Sequence, residues 1–167
     1  MNRFAIALCL VAACGGVAPS ASDESADDVT ATAYQDADEF LNTNGGIDQW
    51  WALKDRLAND FANICGDTYC GSDFGNLRPL SLRCAVTAKQ GKLKGCVYIF
   101  AGSYELIDAK TGAINITART FSCKIPVSGT VKSWMAALTA AGPQTSLQRP
   151  LPGQTTSIYD ALGGCLP

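Results

Sequence analysis

The sequence contains no histidine among its 167 residues. Without histidine, Ser-His-Asp and Cys-His catalysis and the usual histidine-containing zinc sites are excluded. The chain also has no glycine-rich phosphate loop and no lysine-containing phosphate motif. Charged residues are sparse, at 17% of the chain, where an average domain has about 25%. We therefore predict no cofactor and no metal site, and these absences favour a protein that is not an enzyme.

The chain also lacks a long hydrophobic run near its start. Residues 4–13 are apolar, but a membrane-spanning helix needs about 20 such residues. A run of this length after Arg3 fits a signal peptide. The next motif, Val11-Ala12-Ala13-Cys14, resembles the lipobox of bacterial lipoproteins, whose cysteine receives a diacylglycerol and becomes the mature N-terminus. The resemblance implies a signal peptide over residues 1–13, a lipidated Cys14 and attachment to a lipid bilayer.

An ordinary secretory signal is the alternative, because Ala18-Pro19-Ser20 offers small residues for cleavage after Ser20. In the lipoprotein interpretation, residues 14–33 form an acidic flexible tether, rich in Gly, Ser, Ala, Pro and Asp. Gly15 follows the lipidated cysteine. By resemblance to bacterial lipoprotein sorting rules, this residue favours the outer membrane, with the domain facing the periplasm or the cell surface.

The charges are unevenly distributed along the chain. Residues 15–40 hold seven acidic residues and no Lys or Arg, whereas from residue 41 onward twelve basic residues stand against eight acidic ones. This excess of four positive charges is too small to predict nucleic-acid binding. A basic run around the first predicted hairpin could contact anionic envelope polymers or lipid headgroups, although a solvated face is the simpler interpretation. Its members are Arg78, Arg83, Lys89, Lys92 and Lys94.

Eight cysteines are present, of which Cys9 leaves with the signal peptide and Cys14 is consumed by lipid. An even number then remains for the exported domain, which predicts disulfides and an oxidising compartment. Six cysteines allow fifteen connectivities. The six predicted disulfide cysteines are Cys65, Cys70, Cys84, Cys96, Cys123 and Cys165.

The pairing can be ranked from predicted neighbours. If the turn at Gln90-Gly91 is symmetric, Cys84 and Cys96 lie opposite each other in a hairpin, at a separation close to what a disulfide needs. A bridge from Cys65 to Cys70 would close a small loop. An open alternative is that these two cysteines each reach a different element.

A Cys65–Cys70 bridge would leave Cys123 to tie Cys165 and the C-terminal tail to the third predicted strand. Strands are predicted over residues 80–89, 96–107 and 113–127 from alternating apolar residues and from the turns between them. The apolar phase of the third strand changes near Arg119 and Thr120. We therefore predict a β-bulge at that point, which would restore a single buried face.

Helices are predicted on either side of these strands. A short one covers residues 34–41, and a longer one over 47–65 has apolar residues at three- and four-residue spacing. A further helix follows Thr130 as N-cap, and a last short one follows Ser157. The order predicts a single disulfide-braced α+β domain over residues 34–167, with an N-terminal helix packed on an antiparallel meander of three or more strands and a helix after it.

This order resembles cystatin-like folds in topology only, and topology carries no activity. Val127-Ser128-Gly129 keeps a fragment of the inhibitory cystatin hairpin, but the glutamine of that motif and the Pro-Trp pair are missing. The resemblance therefore does not imply protease inhibition. Of the adjacent Trp50 and Trp51, one is predicted to be core and the other to lie at a groove or at the helix–sheet edge.

Two oxygen-rich groups are candidate sites. Asp67, Asp73 and Asn76 could bind calcium, but their spacing is not that of the twelve-residue calcium loop, so turn and cap roles are favoured. Glu105 and Asp108 could form the carboxylate pair of a glycoside hydrolase, although their predicted positions in a strand and a turn favour solvated roles. Neither group supports a predicted site.

Three functions remain open at this point. The first is a non-catalytic envelope module that binds a protein, glycan or lipid partner or that simply coats the surface. The second is an inhibitor of a hydrolase such as a lysozyme or a protease, and the third is a carboxylate-dependent hydrolase. The absence of a catalytic group of residues favours the first.

Overall fold

The computed structural model describes residues 33–65 and 74–167. Its strands form one antiparallel sheet in the order β1-β2-β3-β4. Helices together with this meander confirm the predicted α+β class, and β1 is a fourth strand. The elements in chain order are β1 (Tyr34–Asp36), α1 (Ala37–Asn44), α2 (Ile47–Cys65), β2 (Gly75–Thr87), β3 (Leu93–Ile107), β4 (Ile114–Ile125), α3 (Val131–Thr139) and α4 (Ile158–Gly163).

The first strand occupies the start of a predicted helix. A helix was expected over residues 34–41, whereas Tyr34–Asp36 pairs with β2 and α1 begins only at Ala37. Asp36 has extended backbone, and its carboxylate accepts the N–H of Asp38 at 2.8 Å, so it is the N-cap of α1. The helical prediction for the first three residues is wrong because strand pairing with β2 outweighs the local helical pattern.

Helix α2 packs on the sheet through its predicted apolar stripe. Phe61 lies 4.9 Å from Phe100 of β3, and Trp50 lies 6.2 Å from Trp134 of α3, both between ring centroids. Full burial of one large apolar side chain contributes about 1.5–3 kcal/mol. Trp51 is 53% exposed, so the two adjacent tryptophans divide between core and surface. The buried apolar residues of α2 are Trp50, Leu53, Leu57 and Phe61, of which Leu53 was not part of the predicted stripe.

The sheet has two unlike faces. Tyr98 and Phe100 of β3 are buried against the helices, whereas the intervening Val97, Ile99 and Ala101 are only half-buried. Successive side chains of a strand point to opposite faces. We call the face of Tyr98 and Phe100 the core face, and the face of Val97, Ile99 and Ala101 the open face.

Two disulfides brace this fold, and both are pairs that the sequence predicted. Cys84 lies directly opposite Cys96 across β2 and β3, with 4.1 Å between their Cα atoms. Cys123 of β4 is joined to Cys165, which follows α4, with 5.5 Å between the Cα atoms. The second bridge fixes the C-terminal segment to the last strand.

The predicted β-bulge in β4 is wrong. Every residue from Ile114 to Ile125 has one partner on β3, from Ile107 to Cys96, without a shift of register. The irregularities lie instead in β2, where the register shifts between Gly75 and Arg78, between Pro79 and Ser81, and between Ala85 and Val86. The change of apolar phase in β4 therefore has another physical cause, which is described with the site below.

The last two helices begin as predicted. Thr130 accepts the N–H of Ser133 at 3.2 Å, and Ser157 accepts the N–H of Asp160 at 3.1 Å, each within a reciprocal capping box. The long connection between these helices contributes to the core, because Leu147 and Leu151 are fully or almost fully buried. The connection thus acts as a packed part of the domain.

Several sequence predictions lie outside the described residues. These are the lipobox with Cys14, the signal peptide, most of the tether, Cys70, Asp67 and Asp73, and the side chain of Cys65 is likewise not described. The predicted Cys65–Cys70 bridge therefore stays a prediction. Within the two described ranges, no helix has the combination of length and apolar character needed to cross a membrane.

Candidate interaction surface

The far ends of β3 and β4 project beyond the rest of the sheet. In the described chain, β2 accompanies β3 only as far as Ser103, opposite Gly75, while pairing between β3 and β4 continues to Ile107 opposite Ile114. All residues from 104 to 120 are exposed, and we call this segment the distal hairpin. A two-stranded ribbon of this kind has marginal stability alone in water.

The distal hairpin carries most of the exposed apolar bulk. Of the eight large exposed apolar side chains found in the described residues, five lie here. On the open face, Ile107 is 72% exposed, Ile114 66% and Ile116 67%. On the opposite face, Tyr104 and Leu106 are 37% and 52% exposed. Apolar patches that remain in contact with water often mark interaction sites.

The register explains why β4 changes its apolar phase. Phe121 and Cys123 point to the core face, where Phe121 is half-buried and Cys123 is fully buried. Ile114 and Ile116 differ from them by an odd number of positions, so they point to the open face. The half of β4 near Cys123 is apolar on the core face, and the distal half is apolar on the open face. The apolar residues of the distal half therefore do not serve the domain's own core.

β4 also forms an unpaired edge of the described sheet. The N–H of Asp108 donates to the carbonyl of Ala113 at 2.8 Å, which marks this pair as a hydrogen-bonded one. Because such pairs alternate along antiparallel strands, the main-chain groups of the even-numbered residues point away from β3. These outward-facing residues are Ile114, Ile116, Ala118 and Thr120.

The distal half of this edge lacks the usual protection against pairing with another strand, since the one lysine of β4, Lys124, lies in the other half. Natural edges are protected by short length, proline, lysine or a bulge. β1, at the opposite edge, has three residues. β4 has twelve, with regular register and no proline, and Arg119 is the single charged residue between Ile114 and Phe121. The unprotected edge and the exposed isoleucines occupy the same part of the strand.

Asp108 shapes the turn that closes the hairpin. Its carboxylate accepts the N–H groups of Thr111 and Lys110, each at 2.9 Å, and these hydrogen bonds hold the pKa of Asp108 below its usual range. Glu105 instead accepts the hydroxyl of Ser103. The two carboxylates considered as a hydrolytic pair thus each have a local partner, and Asp108 has a turn-forming role.

Aromatic and polar contacts hold the base of the hairpin. Phe121 packs edge-on against Phe74, with ring centroids 5.4 Å apart, and the Arg119 guanidinium lies 5.5 Å from the centroid of Phe74. The N–H of Ser103 donates to the side chain of Asn76 at 3.0 Å, and the Asn76 amide donates to the Ser103 hydroxyl at 2.8 Å. These contacts position the ribbon relative to the domain.

A shallow depression continues this surface onto the sheet. It has a volume of about 710 Å³ and is wide open to solvent. Leu80, 59% exposed, and Ala118 contribute apolar surface, while Arg78 contributes positive charge. The distal hairpin and this depression share residues 118–120 and form one continuous surface.

A second polar group lies far from the hairpin, at the start of α1. The Asp38 carboxylate accepts the Trp50 indole N–H and pairs with Lys54 at 2.9 Å. Burial alone would raise the pKa of Asp38, but the hydrogen bonds from Lys54 and Trp50 lower it below the ordinary value. This network joins α1 to α2, and its geometry indicates a structural role.

The predicted basic run is divided between different surroundings. Arg83 pairs with Asp36 at 2.8 Å, and Arg78 lines the depression on the open face. In the described ranges, no three His, Cys, Asp or Glu side chains are grouped so that they could hold a metal ion.

No protein-family model, no curated protein and no solved structure matches this chain.

Sequence reasoning did not identify the distal hairpin as a site. The available signal is the change of apolar phase near Arg119 and Thr120, from which the sequence predicts a bulge. A strand that is apolar on one face and then on the other equally indicates two different contacts along its length. The sequence could not distinguish these interpretations because they differ in the register with β3 and in how far the core covers the strand, and both depend on distant contacts.

Proposed function

We propose that this protein is an exported lipoprotein whose domain is a non-catalytic binding module, and that the distal hairpin is its contact surface for another protein. The exposure of Ile107, Ile114 and Ile116 beside an unprotected strand edge is the observation that carries this proposal. Keeping three isoleucines in water confers no benefit on the isolated domain. Contact with a protein would bury them.

The sequence supports export and anchoring. Val11-Ala12-Ala13-Cys14 has the form of a lipobox, and Gly15 favours the outer membrane, with the domain on the periplasmic or outer surface. The disulfides Cys84–Cys96 and Cys123–Cys165 are compatible with an oxidising compartment. The proposed anchor and the bridged domain thus agree on a location outside the cytoplasm.

The proposed tether joins the domain away from the contact surface. Ala33 accepts the N–H of Ala88, beside the turn between β2 and β3. The hairpin tip follows Ile107, at the other end of the fifteen-residue β3, which corresponds to about 45 Å at roughly 3.3 Å per residue. The point of attachment is therefore separate from the hairpin.

An inhibitor of a hydrolase is the second candidate. A narrow ribbon that projects beyond its domain, with the turn at residues 108–112, has a shape that fits into an enzyme cleft. Inhibition assays with lysozymes and proteases test this alternative, with a deletion of residues 109–111 as the variant. Inhibition that is lost in this variant would favour the inhibitor over an anchored binding module.

Intact-mass spectrometry of the protein from bacterial membranes tests the anchor. We expect a mature chain that begins at Cys14 and carries acyl mass, and we expect Cys14→Ser to remain unprocessed. A mature chain that begins after Ser20 without acyl mass would contradict the anchor. It would leave the binding surface untouched, because the hairpin belongs to the domain.

Photo-crosslinking in intact cells tests the contact surface. A crosslinkable residue placed at Ile107 should capture protein, whereas the same residue at Arg56, which is exposed on α2, should capture much less. Equal capture at both positions would contradict the proposed surface. Turnover of an envelope substrate, abolished by one point substitution in the domain, would contradict a non-catalytic role.

A further inference from the structure

The distal hairpin has the features of a strand-pairing site. Along β4, the outward main-chain groups of Ile114, Ile116, Ala118 and Thr120 have no strand partner in the described chain. The same four side chains lie on the open face. A strand added at this edge would therefore satisfy the main chain and cover apolar surface at the same time.

A lipid bilayer does not fit this hairpin. The turn places Asp108 and Lys110 at its tip, and an inserted tip would bring both charges deepest into the membrane. The unpaired main-chain groups of β4 would also enter hydrocarbon without hydrogen-bond partners, which is costly. The surface requires an occupant that supplies hydrogen bonds as well as apolar contact.

β4 itself meets the requirements of that occupant. In an antiparallel pairing centred on Ile116, this residue faces Ile116 of the second copy, and Ile114 faces Ala118. Residues whose main-chain groups point outward then lie opposite residues of the same kind, as the alternation of hydrogen bonds requires. Arg119, the single charge in this segment, faces Ala113 rather than another arginine. No like charges are opposed, and apolar residues meet on the open face.

We propose that β4 pairs antiparallel with β4 of a second copy of this chain, joining two four-stranded sheets into one eight-stranded sheet. A two-fold contact of this type closes on itself. The remaining edge, β1, has three residues and leads directly into α1, so assembly ends at the dimer. The inference rests on the proposed contact surface, and it names the occupant.

Ala118→Pro should disrupt pairing between two copies of the chain without disturbing the fold of either copy. The N–H of Ala118 points to the edge, so Ala118→Pro removes no hydrogen bond to β3, and proline is tolerated at such edge positions. By symmetry the substitution removes two N–H donors from the dimer contact. Loss of two hydrogen bonds should weaken the dimer about tenfold or more. Ala118→Thr keeps the N–H and is the matched control.

The experiment uses full-length chains with two different epitope tags, expressed in the same bacterial cells. A photo-crosslinking residue at Ile116 should join the two tagged forms, and Ala118→Pro should reduce this product about tenfold. Ala118→Thr should retain it. Retention of both disulfides and of the thermal midpoint shows that the proline variant is folded.

Three outcomes would overturn the inference. In the first, crosslinking between tagged copies is no stronger at position 116 than at Arg56. In the second, folded Ala118→Pro forms as much dimer as the parent chain. In the third, position 116 captures another protein and never a second copy, which would leave the proposed function intact. If positions 107 and 116 capture no protein at all, the proposed function fails together with the dimer.

Discussion

Ile107 and Ile114 face each other directly across β3 and β4, and both are at least 66% exposed. They form a non-hydrogen-bonded pair, in which side chains approach closely and cross-strand contacts contribute about 0.2–1 kcal/mol. This small contribution does not account for two isoleucines in water. Their placement is better explained by a contact outside the domain. Substituting them should therefore affect binding much more than stability.

We predict that Ile114→Thr and Ile116→Thr together leave the fold almost unchanged. Threonine keeps the β-branched shape, and surface substitutions usually change stability by no more than about 0.5 kcal/mol each. Capture of protein by the crosslinker at position 107 should be strongly reduced. Urea unfolding and in-cell crosslinking measure the two effects.

Ile125→Thr is the matched control, because Ile125 lies in the same strand but is 3% exposed. Placing a hydroxyl in the core there should cost about 1–3 kcal/mol. If the double substitution on the hairpin destabilises the domain as much as Ile125→Thr does, the hairpin isoleucines have a structural role and the proposed surface is wrong.

Much of the fold was accessible from the sequence because its signals are local. The stripe of α2 follows helical spacing, Thr130 and Ser157 cap helices as their side chains suggest, and the turn at Gln90-Gly91 brings Cys84 opposite Cys96. Each of these features depends on residues close together in the chain.

The features that were missed depend on distant contacts. Tyr34–Asp36 is a strand only because β2 lies beside it. Ile116 and Phe121 point to opposite faces of one regular strand, but only the positions of the helices show that Ile116 remains uncovered. An apolar residue that serves the core and one that serves a partner look the same in the sequence.

The two disulfides should differ in their contribution to stability. Cys84–Cys96 closes a separation of 12 residues and Cys123–Cys165 one of 42. In the chain-entropy model the longer loop stabilises more, here by about 1 kcal/mol. We expect the double substitution Cys123→Ala/Cys165→Ala to lower the free energy of unfolding more than Cys84→Ala/Cys96→Ala does.

Urea unfolding of both double variants in the same buffer measures this difference. Cys84 and Cys96 also lie on strands that hydrogen bonds already hold together, so in the folded domain their bridge adds less restraint than the bridge that fixes the C-terminal segment. A larger loss from removing Cys84 and Cys96 would show that strand pairing between β2 and β3 depends on the bridge, contrary to the entropic argument.

The network around Asp38 predicts a loss of stability in acid. The folded-state pKa of Asp38 lies below its ordinary value of 3.8 because of hydrogen bonds from Lys54 and Trp50, despite the opposing effect of burial. Its contribution is therefore fully present above pH 3.8 and is lost as the pH falls through the lower, folded-state value. The pKa values of Asp108 and Asp160 are also lowered, so these two groups add to the loss of stability in acid.

Asp38→Asn isolates the charge, since the amide oxygen can still accept the Trp50 indole N–H. We expect the variant to be less stable at neutral pH and to lose less of its remaining stability on acidification. Glu39→Gln removes an exposed carboxylate at the next position and is the control. Thermal unfolding at each pH measures this loss of stability. If the parent chain and Asp38→Asn lose stability equally on acidification, the assignment to Asp38 is wrong.

Two glycines in the hairpin turns allow steric and backbone effects to be separated. Gly91 and Gly112 both have left-handed backbone, with φ of +62° and +70°, so alanine introduces similar strain of about 1–2 kcal/mol at either position. A methyl group at Gly112 would meet nothing within 4 Å, whereas one at Gly91 would overlap the buried ring of Phe40. Gly91→Ala should therefore cost clearly more than Gly112→Ala.

The difference between these variants estimates the cost of displacing Phe40, and overpacking of this kind typically costs about 1–3 kcal/mol. Phe40→Leu removes the ring and should bring the costs of Gly91→Ala and Gly112→Ala closer together. If Gly91→Ala is no more harmful than Gly112→Ala in urea unfolding, Phe40 is not held against this turn. In that case the packing of α1 over the turn between β2 and β3 must be looser than the described contacts require.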